Sequence, residues 1–345
     1  MKLYTPAYYE KFSCIAGLCP DSCCKDWAVD IDDAAAAYYR SLPGDLGDRL
    51  RAVMQDSEDG TSMVIEEGRC PMWRQDGLCR IHAELGHEAL CHTCRTFPRL
   101  IHDYGTFAER GLELSCPEAA RLILTTSADM ICTELPGGEE ADYDEAVMAT
   151  LLRSRQALLD LLDGPYTVAQ TLAILLLYAH EVQEELDGGQ EAVLCPAETL
   201  ADAIGYATGG DLEQFLAFFK ALEILTPAWQ TRLDTALSAC HCEEQSDVAI
   251  RSPSPWTDTY RSLIRYFLMR WWLQAVADYD IISRAKLTVA ACLVIHTLGG
   301  DTVQTAQAFS KEIENDPDNV EAILDGAYCS PALTDVQLLS LLLND

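Results

Sequence analysis

The chain changes character near residue 120. Beyond that point apolar side chains recur at three- and four-residue intervals, the period of a helix with one buried face. Leu151, Leu152, Ala157, Leu158, Leu159 and Leu162 follow this pattern, and Gly164-Pro165 ends it. Thr167 is placed as the N-cap of a second helix running through Leu172, Leu175, Leu176 and Ala179. The same pattern predicts helices over 196–206, 211–225, 257–278, 281–298, 302–315 and 334–343. The Gly-Gly pairs at 137–138, 188–189, 209–210 and 299–300 read as helix C-caps and loops. Alternating strand patterns are scarce. The expected fold class is therefore mostly α.

Residues before 120 lack long periodic runs and are punctuated by turn signals and cysteines. The expected organisation is an irregular cysteine-rich metal-binding segment over 1–125, packed on an acidic all-α region over 126–345. One stretch differs from its surroundings: CHCEEQSDVAIRSPSP, Cys240 to Pro255, resembles the peptide encoded by interspersed repeat elements found inside unrelated bacterial reading frames. It predicts an inserted surface loop at 240–255, in which Cys240, His241 and Cys242 are incidental rather than ligands.

Composition narrows the function. With 345 residues, 49% of them hydrophobic and 23% charged, the chain can bury a real core, which excludes wholesale disorder. It carries 24 Lys and Arg against 55 Asp and Glu, a net charge of −31. Such a chain repels phosphate backbones and anionic lipid, so neither nucleic acid nor a membrane surface is the expected partner. A basic protein partner stays open. Acidity is densest over 133–250, where 4 cations face 22 acids for a net of −18. That region reads either as a solvated face or as a field that steers a cationic substrate.

The opening MKLYTPAYYEKFSC has no apolar h-region and no small-residue cleavage site. The longest apolar stretches, Thr171 to Ala179 and Leu287 to Leu298, fall short of a bilayer span. The expected location is cytoplasmic. Thiols stay reduced there, and dense cysteines more often bind metal than pair as disulfides.

The cysteines fall into four groups. FSCIAGLCPDSCC holds Cys14, Cys19, Cys23 and Cys24, too many sulfurs for a short loop to bury as inert core. RCPMWRQDGLCRIH holds Cys70 and Cys79 around the turn Asp76-Gly77. ALCHTCRTFPRL contains the C-x-x-C pair Cys91 and Cys94, and Cys116 precedes Pro117 at the start of a helix. Cys91–Cys94 matches the knuckle spacing of structural zinc cleanly while the N-terminal spacing is irregular, and irregular all-cysteine ligation suits an iron–sulfur cluster better. Zinc is the alternative. The eight or nine candidates exceed the four that one cluster needs, so two sites and one site with spare thiols both fit. His82, His87, His92 and His102 are read as exposed or capping, His296 as helix-buried, and Cys195, Cys292 and Cys329 as small core residues.

The segments FSCIAGLCPDSCCKDWAVDID, CPMWRQDGLCRIHAELGHEALCHTCRTFPRL and ELSCPEAARLIL together resemble the flagellin lysine-N-methylase family of bacteria. That family belongs to the broader group named for clustered cysteines of the CxxCxxCC kind. The later YRSLIRYFLMRWWLQAV is similar to its C-terminal region. The likeness is close over 1–125 and weaker over 255–300. It implies S-adenosylmethionine-dependent N-methylation of flagellin lysines, with an iron–sulfur cluster of the 4Fe-4S type in the cysteine region. It places Cys14, Cys19, Cys23, Cys24, Cys70, Cys79, Cys94 and Cys116 at the motif positions and leaves Cys91 as the spare thiol.

Lysine methylation requires removing a proton from an ammonium whose reference pKa is about 10.4 and holding the amine in line with the sulfonium methyl. Nitrogen is already a nucleophile, so no radical is needed, and the radical-enzyme triplet C-x3-C-x2-C is absent. Asp26, Trp27, Asp30, Trp73 and Tyr104 lie near the cysteines as candidates for a desolvating or proton-accepting role, though no catalytic base is singled out. No G-x-G-x-x-G follows a strand, so a Rossmann-type cofactor site is unsupported. Arg95 and Arg99 of RTFPR are the candidates for gripping the cofactor carboxylate. Two other functions compete: a non-catalytic, metal-stabilised module that binds a basic protein, and a redox or metal-handling protein.

Overall fold

The computed structural model describes residues 1–23, 29–58, 60–66, 68–138, 140–243 and 255–344, with side chains omitted for 241–243. Among the described residues, strands are confined to the first 134 positions: β1 (Lys2–Pro6), β2 (Val29–Ile31), β3 (Met54–Ser57), β4 (Gly60–Met63), β5 (Arg99–Asp103), β6 (Phe107–Leu112) and β7 (Met130–Glu134). They form a four-stranded sheet in the order β5-β6-β1-β7 and a three-stranded sheet in the order β2-β4-β3. β1 pairs parallel to β6 with Lys2 opposite Phe107, and antiparallel to β7 with Lys2 opposite Glu134. The expected irregular segment thus contains two sheets. Their strands are only three to six residues long, and β7 is exposed along its whole length, so no alternating pattern advertises them.

Five helices accompany the sheets: α1 (Asp33–Ser41), α2 (Gly44–Val53), α3 (Arg80–Leu85), α4 (His92–Thr96) and α5 (Pro117–Thr125). The helical body follows with α6 (Glu145–Leu162), α7 (Val168–Leu186), α8 (Pro196–Tyr206), α9 (Leu212–Ala221), α10 (Pro227–Glu243), α11 (Asp258–Trp271), α12 (Ile281–Leu298), α13 (Thr302–Phe309), α14 (Pro317–Cys329) and α15 (Asp335–Leu343). The mostly α expectation holds. Thr167 caps α7 through a reciprocal box: the Gln170 amide donates to Thr167 Oγ1 at 3.2 Å, and Gln170 Oε1 accepts from the Thr167 amide at 3.0 Å.

Two predicted helices are shorter in α form. α11 passes into a 3-10 turn over Trp272–Val276, and α13 into a π turn over Ser310–Glu314. α10 and α14 were not anticipated. α10 continues to Glu243, so the start of the proposed insertion at 240–255 is helical, while 244–254 lies outside the described residues. Cys240 sits half-buried with its thiol 3.4 Å from the Ala236 carbonyl.

Part of the acidity has a local purpose. Asp32, Asp144, Asp211, Asp280, Asp301 and Asp316 each accept a hydrogen bond at a helix N-terminus, which satisfies orphan amides and favours the positive end of the helix.

The main core joins α5 to α15 with Tyr8, Phe12, Phe107, Leu112 and Leu114 from the first segment. A second, smaller core of Val29, Ile31, Tyr39, Leu50, Met63 and Met72 lies beneath the three-stranded sheet. α12 is apolar on every side. Its 18 residues are long and apolar enough to cross a membrane, but 83% of them are buried inside the protein, packed against α7, α11, α13 and α14. As expected, His296 is buried there, stacked on Trp256 with centroids 3.9 Å apart. Cys292 is a core residue; Cys195 and Cys329 are exposed, which corrects the expectation for those two, because each lies at the end of a helix rather than on its buried face.

Candidate functional site

The loops around the two sheets enclose a cavity of about 330 Å³. Its wall carries Cys14, Cys19, Cys23, Cys79, Cys94 and Cys116, six of the eight motif cysteines, drawn from four separate places in the chain. Each is delivered by a local device. Cys14 precedes a 3-10 turn over Ala16–Leu18, and Cys19 closes that turn with its thiol donating to the Asp21 carbonyl at 3.0 Å. Cys79 stands at the start of α3, Cys94 lies within α4, and Cys116 starts α5 with Pro117 at the first helical position.

The other two motif cysteines stand apart. Cys70 is 6% exposed and packs in the smaller core, outside the cavity lining. Cys24 lies outside the described residues, as do Asp26 and Trp27. Among the described residues, no group of three or more His, Cys, Asp or Glu side chains is placed to hold a metal ion.

The thiols sense one another. Burial pushes Cys19 up, and burial pushes Cys116 up to about 12 with smaller contributions from Cys19 and Cys23. Hydrogen bonding between Cys91 and Cys94 pushes the Cys94 thiol up and holds Cys91 down. Gathering thiols in a half-buried wall makes their thiolate forms costly, and a soft cation among them would remove that cost. The donor set, six thiols from four chain segments with His82 and His87 beside them, fits an iron–sulfur cluster or zinc.

Arg95 and Arg99 line the same cavity. Neither forms an ion pair among the described residues. Arg99 instead lies over the rings of Phe12, at 5.0 Å, and Tyr9, at 5.7 Å, beyond a cis Phe97-Pro98 peptide. His82 and His87 meet edge to face with centroids 5.9 Å apart. The wall also has a contribution that no local sequence signal announces. Lys311, in the π turn after α13, bonds Asp21 at 3.0 Å, and Gln307 bonds both Asp21 and the Ser115 carbonyl. The remaining aromatic and acidic candidates are elsewhere: Asp30 is exposed on β2, Trp73 lies under Arg69, and Tyr104 stacks on Phe107 at 4.9 Å.

Fold and cavity together define a predominantly helical protein with a thiol-lined pocket at its N-terminal end. Comparison with known proteins gives that class a family. The chain is 33% identical over 139 residues to the lysine-N-methylase of Salmonella typhimurium and, to the same degree, to that of Salmonella choleraesuis. These matches cover 37% of this chain and only 34% of those enzymes, about a third of their length. It is 34% identical over 129 residues to the flagellar biosynthetic protein FliU of Salmonella muenchen, covering 34% of this chain and 75% of that protein. The chain belongs to the flagellin lysine-N-methylase family. No established family profile matches it, and no solved structure does.

Proposed function

We propose that the protein methylates lysine side chains of a flagellar protein, using S-adenosylmethionine, at the cysteine-lined cavity. The observation that supports this most is the convergence of six motif cysteines with Arg95 and Arg99 on one wall, in a chain whose relatives are named as lysine methylases. Four of Cys14, Cys19, Cys23, Cys79, Cys94 and Cys116, or of these with Cys24 beside them in sequence, would hold a 4Fe-4S cluster, whose iron would supply an anchor for amino and carboxylate groups. Zinc would need the same number of thiols.

The chain's own residues account for the rest of the chemistry. Arg95 and Arg99 offer planar guanidinium forks to the cofactor carboxylate. Phe12, Leu90 and Phe97 on the wall exclude water and disfavour the ammonium form of an entering lysine. The carboxylates Asp21 and Glu118 on that wall are engaged by Lys311 and Arg121, which leaves the imidazoles of His82 and His87 to accept the ammonium proton. The freed amine would then attack the sulfonium methyl carbon in line, the N–C bond forming as the C–S bond breaks, with S-adenosylhomocysteine as the leaving group. The acidic helical body favours approach of a lysine-bearing partner, consistent with a cytoplasmic site of action before export of the substrate.

The deciding experiment purifies the protein without oxygen, assays iron and sulfide, and incubates it with flagellin and S-adenosylmethionine. Peptide mass spectrometry should find lysines heavier by whole methyl groups. An iron-containing protein that leaves flagellin unmodified would reduce the cluster to a structural staple.

A further inference from the structure

The four-stranded sheet ends on β7, which pairs with β1 and has no second strand beside it among the described residues. The pairing with β1 decides which backbone groups are used. The Leu135 amide donates to the Met1 carbonyl at 2.9 Å, and the Met1 amine donates to the Leu135 carbonyl at 3.1 Å. At the other end, the Ala7 amide donates to the Asp129 carbonyl at 2.9 Å. Bonded pairs alternate along an antiparallel ladder, so between these ends the bonded pairs are Leu3–Thr133 and Thr5–Ile131. Met130, Cys132 and Glu134 therefore turn their N–H and C=O groups to the open side. None of these groups has a hydrogen-bond partner among the described residues.

This edge is unguarded. Edge strands are commonly protected by lysine, proline or a covering element, because an open row of amides and carbonyls templates another strand. β7, with the sequence MICTE, has neither lysine nor proline, and all five residues are exposed, Ile131 to 54%. A groove of about 870 Å³ has Met130 and Glu134 in its wall and offers room for alternate side chains of an added strand.

The surrounding charge selects the occupant. Between Arg121 and Arg153 the sequence holds seven acids and no Lys or Arg, and the described ones, among them Asp129, Glu134, Glu140 and Asp142, are exposed. At one end of β7 the Met1 amine and Lys2 offset part of this charge. Two copies joined edge to edge would bring two such acidic segments together, which like-charge repulsion opposes. A basic segment is attracted instead.

We propose that the open edge of β7 binds an extended basic segment of a partner protein as a fifth strand, held by backbone hydrogen bonds and selected by the surrounding carboxylates. None of the β7 residues lines the cysteine cavity, so the two places are distinct. The assignment stands whether or not the bound partner is methylated.

Calorimetric titration of the full chain, without cofactor, with a short capped peptide of alternating lysine and valine tests it. Replacing the central valine of that peptide by proline keeps its charge and removes a ladder donor. Replacing its lysines by glutamate keeps the alternation and reverses the charge. The lysine peptide should bind saturably at one site, and each control should bind more weakly by about tenfold or more. Residue-resolved hydrogen exchange should show the Met130, Cys132 and Glu134 amides slowed by the peptide. Those of Ile131 and Thr133, already bonded to β1, should change little. Cys132→Pro should fold, because its amide faces outward, and should weaken the lysine peptide by a similar factor. If that variant does not fold, the exchange pattern decides. No saturable binding, equal affinity for the proline peptide, or unprotected amides at these three positions would each overturn the proposal. So would a concentration-dependent dimer of the chain that Cys132→Pro abolishes, since the edge would then belong to a second copy.

Discussion

Lys311 reaches Asp21 across 290 positions of sequence, its Nζ 3.0 Å from the carboxylate, with the lysine side chain 9% exposed and the aspartate 23%. Asp21 lies between Cys19 and Cys23, so this contact ties the N-terminal cysteine loop to the helical body. A charge-assisted hydrogen bond of this kind contributes about 2 kcal/mol. Lys311→Met should therefore loosen the loop without unfolding the core. Cys14, Cys19 and Cys23 should alkylate faster. Equal alkylation rates in the two proteins would mean that the loop is held by other contacts.

Glu109 on β6 and Arg155 on α6 form a buried two-bond pair, with side chains 6% and 7% exposed. Removing one member strands a buried charge, which costs about 3–5 kcal/mol. Urea denaturation of Arg155→Met and of Glu109→Gln should show losses of that order. The double variant should recover part of the loss, because no unpaired charge is left. Strictly additive losses would show that the two residues act separately.

How far the sequence announces this structure follows from the range of the interactions. Thr167, Gln170 and the leucines of α7 state their helix locally, since cap and apolar period lie within a few turns. The cysteines announce a thiol-rich site for the same reason. β1 does not announce its partner, because Lys2 pairs with Phe107 and Glu134, more than a hundred residues away, and strand lengths of three to six give periodicity nothing to work on. The division of the cysteines is equally non-local. Cys70 packs with Met72 and Tyr39 while Cys79 faces the cavity, and nothing in their spacing separates those fates. Lys311 belongs to an ordinary-looking helix end, and its place on the cavity wall depends on the π turn that redirects it.

His296 sets a pH dependence. Burial against Trp256 pushes its imidazole from the usual 6.5 down to about 4, and its Nδ1 has no hydrogen-bond partner. Between those values the unfolded chain takes up a proton that the folded chain refuses. Stability therefore falls as pH drops from about 6.5 toward 4, by about 3 kcal/mol at the lower end from this group. Glu113 and Glu314, pushed up by burial, act in the opposite direction, so the informative quantity is the difference between proteins. Melting temperatures of wild type and His296→Phe, compared over this range, should show a shallower acid decline in the variant. Parallel profiles would rule out His296 as the source.

Arg95 and Arg99 make the cofactor assignment testable without turnover. Both guanidiniums line the cysteine cavity and neither is neutralised by a carboxylate among the described residues, in a chain where acids are abundant. Arg99 rests on Phe12 and Tyr9, which orients it without consuming its hydrogen-bond donors beyond a 3.5 Å contact to the Phe12 carbonyl. A carboxylate entering the cavity would find both forks available, and losing one charge-assisted pair weakens binding by about 1.5–3 kcal/mol, roughly ten- to a hundredfold. Calorimetry with S-adenosylhomocysteine should show that loss for Arg95→Gln or Arg99→Gln and a larger one for the double variant, at unchanged iron content. Arg99→Lys should recover little, because a point charge does not replace a planar fork. Unchanged affinity in both single variants would move the cofactor carboxylate elsewhere in the cavity.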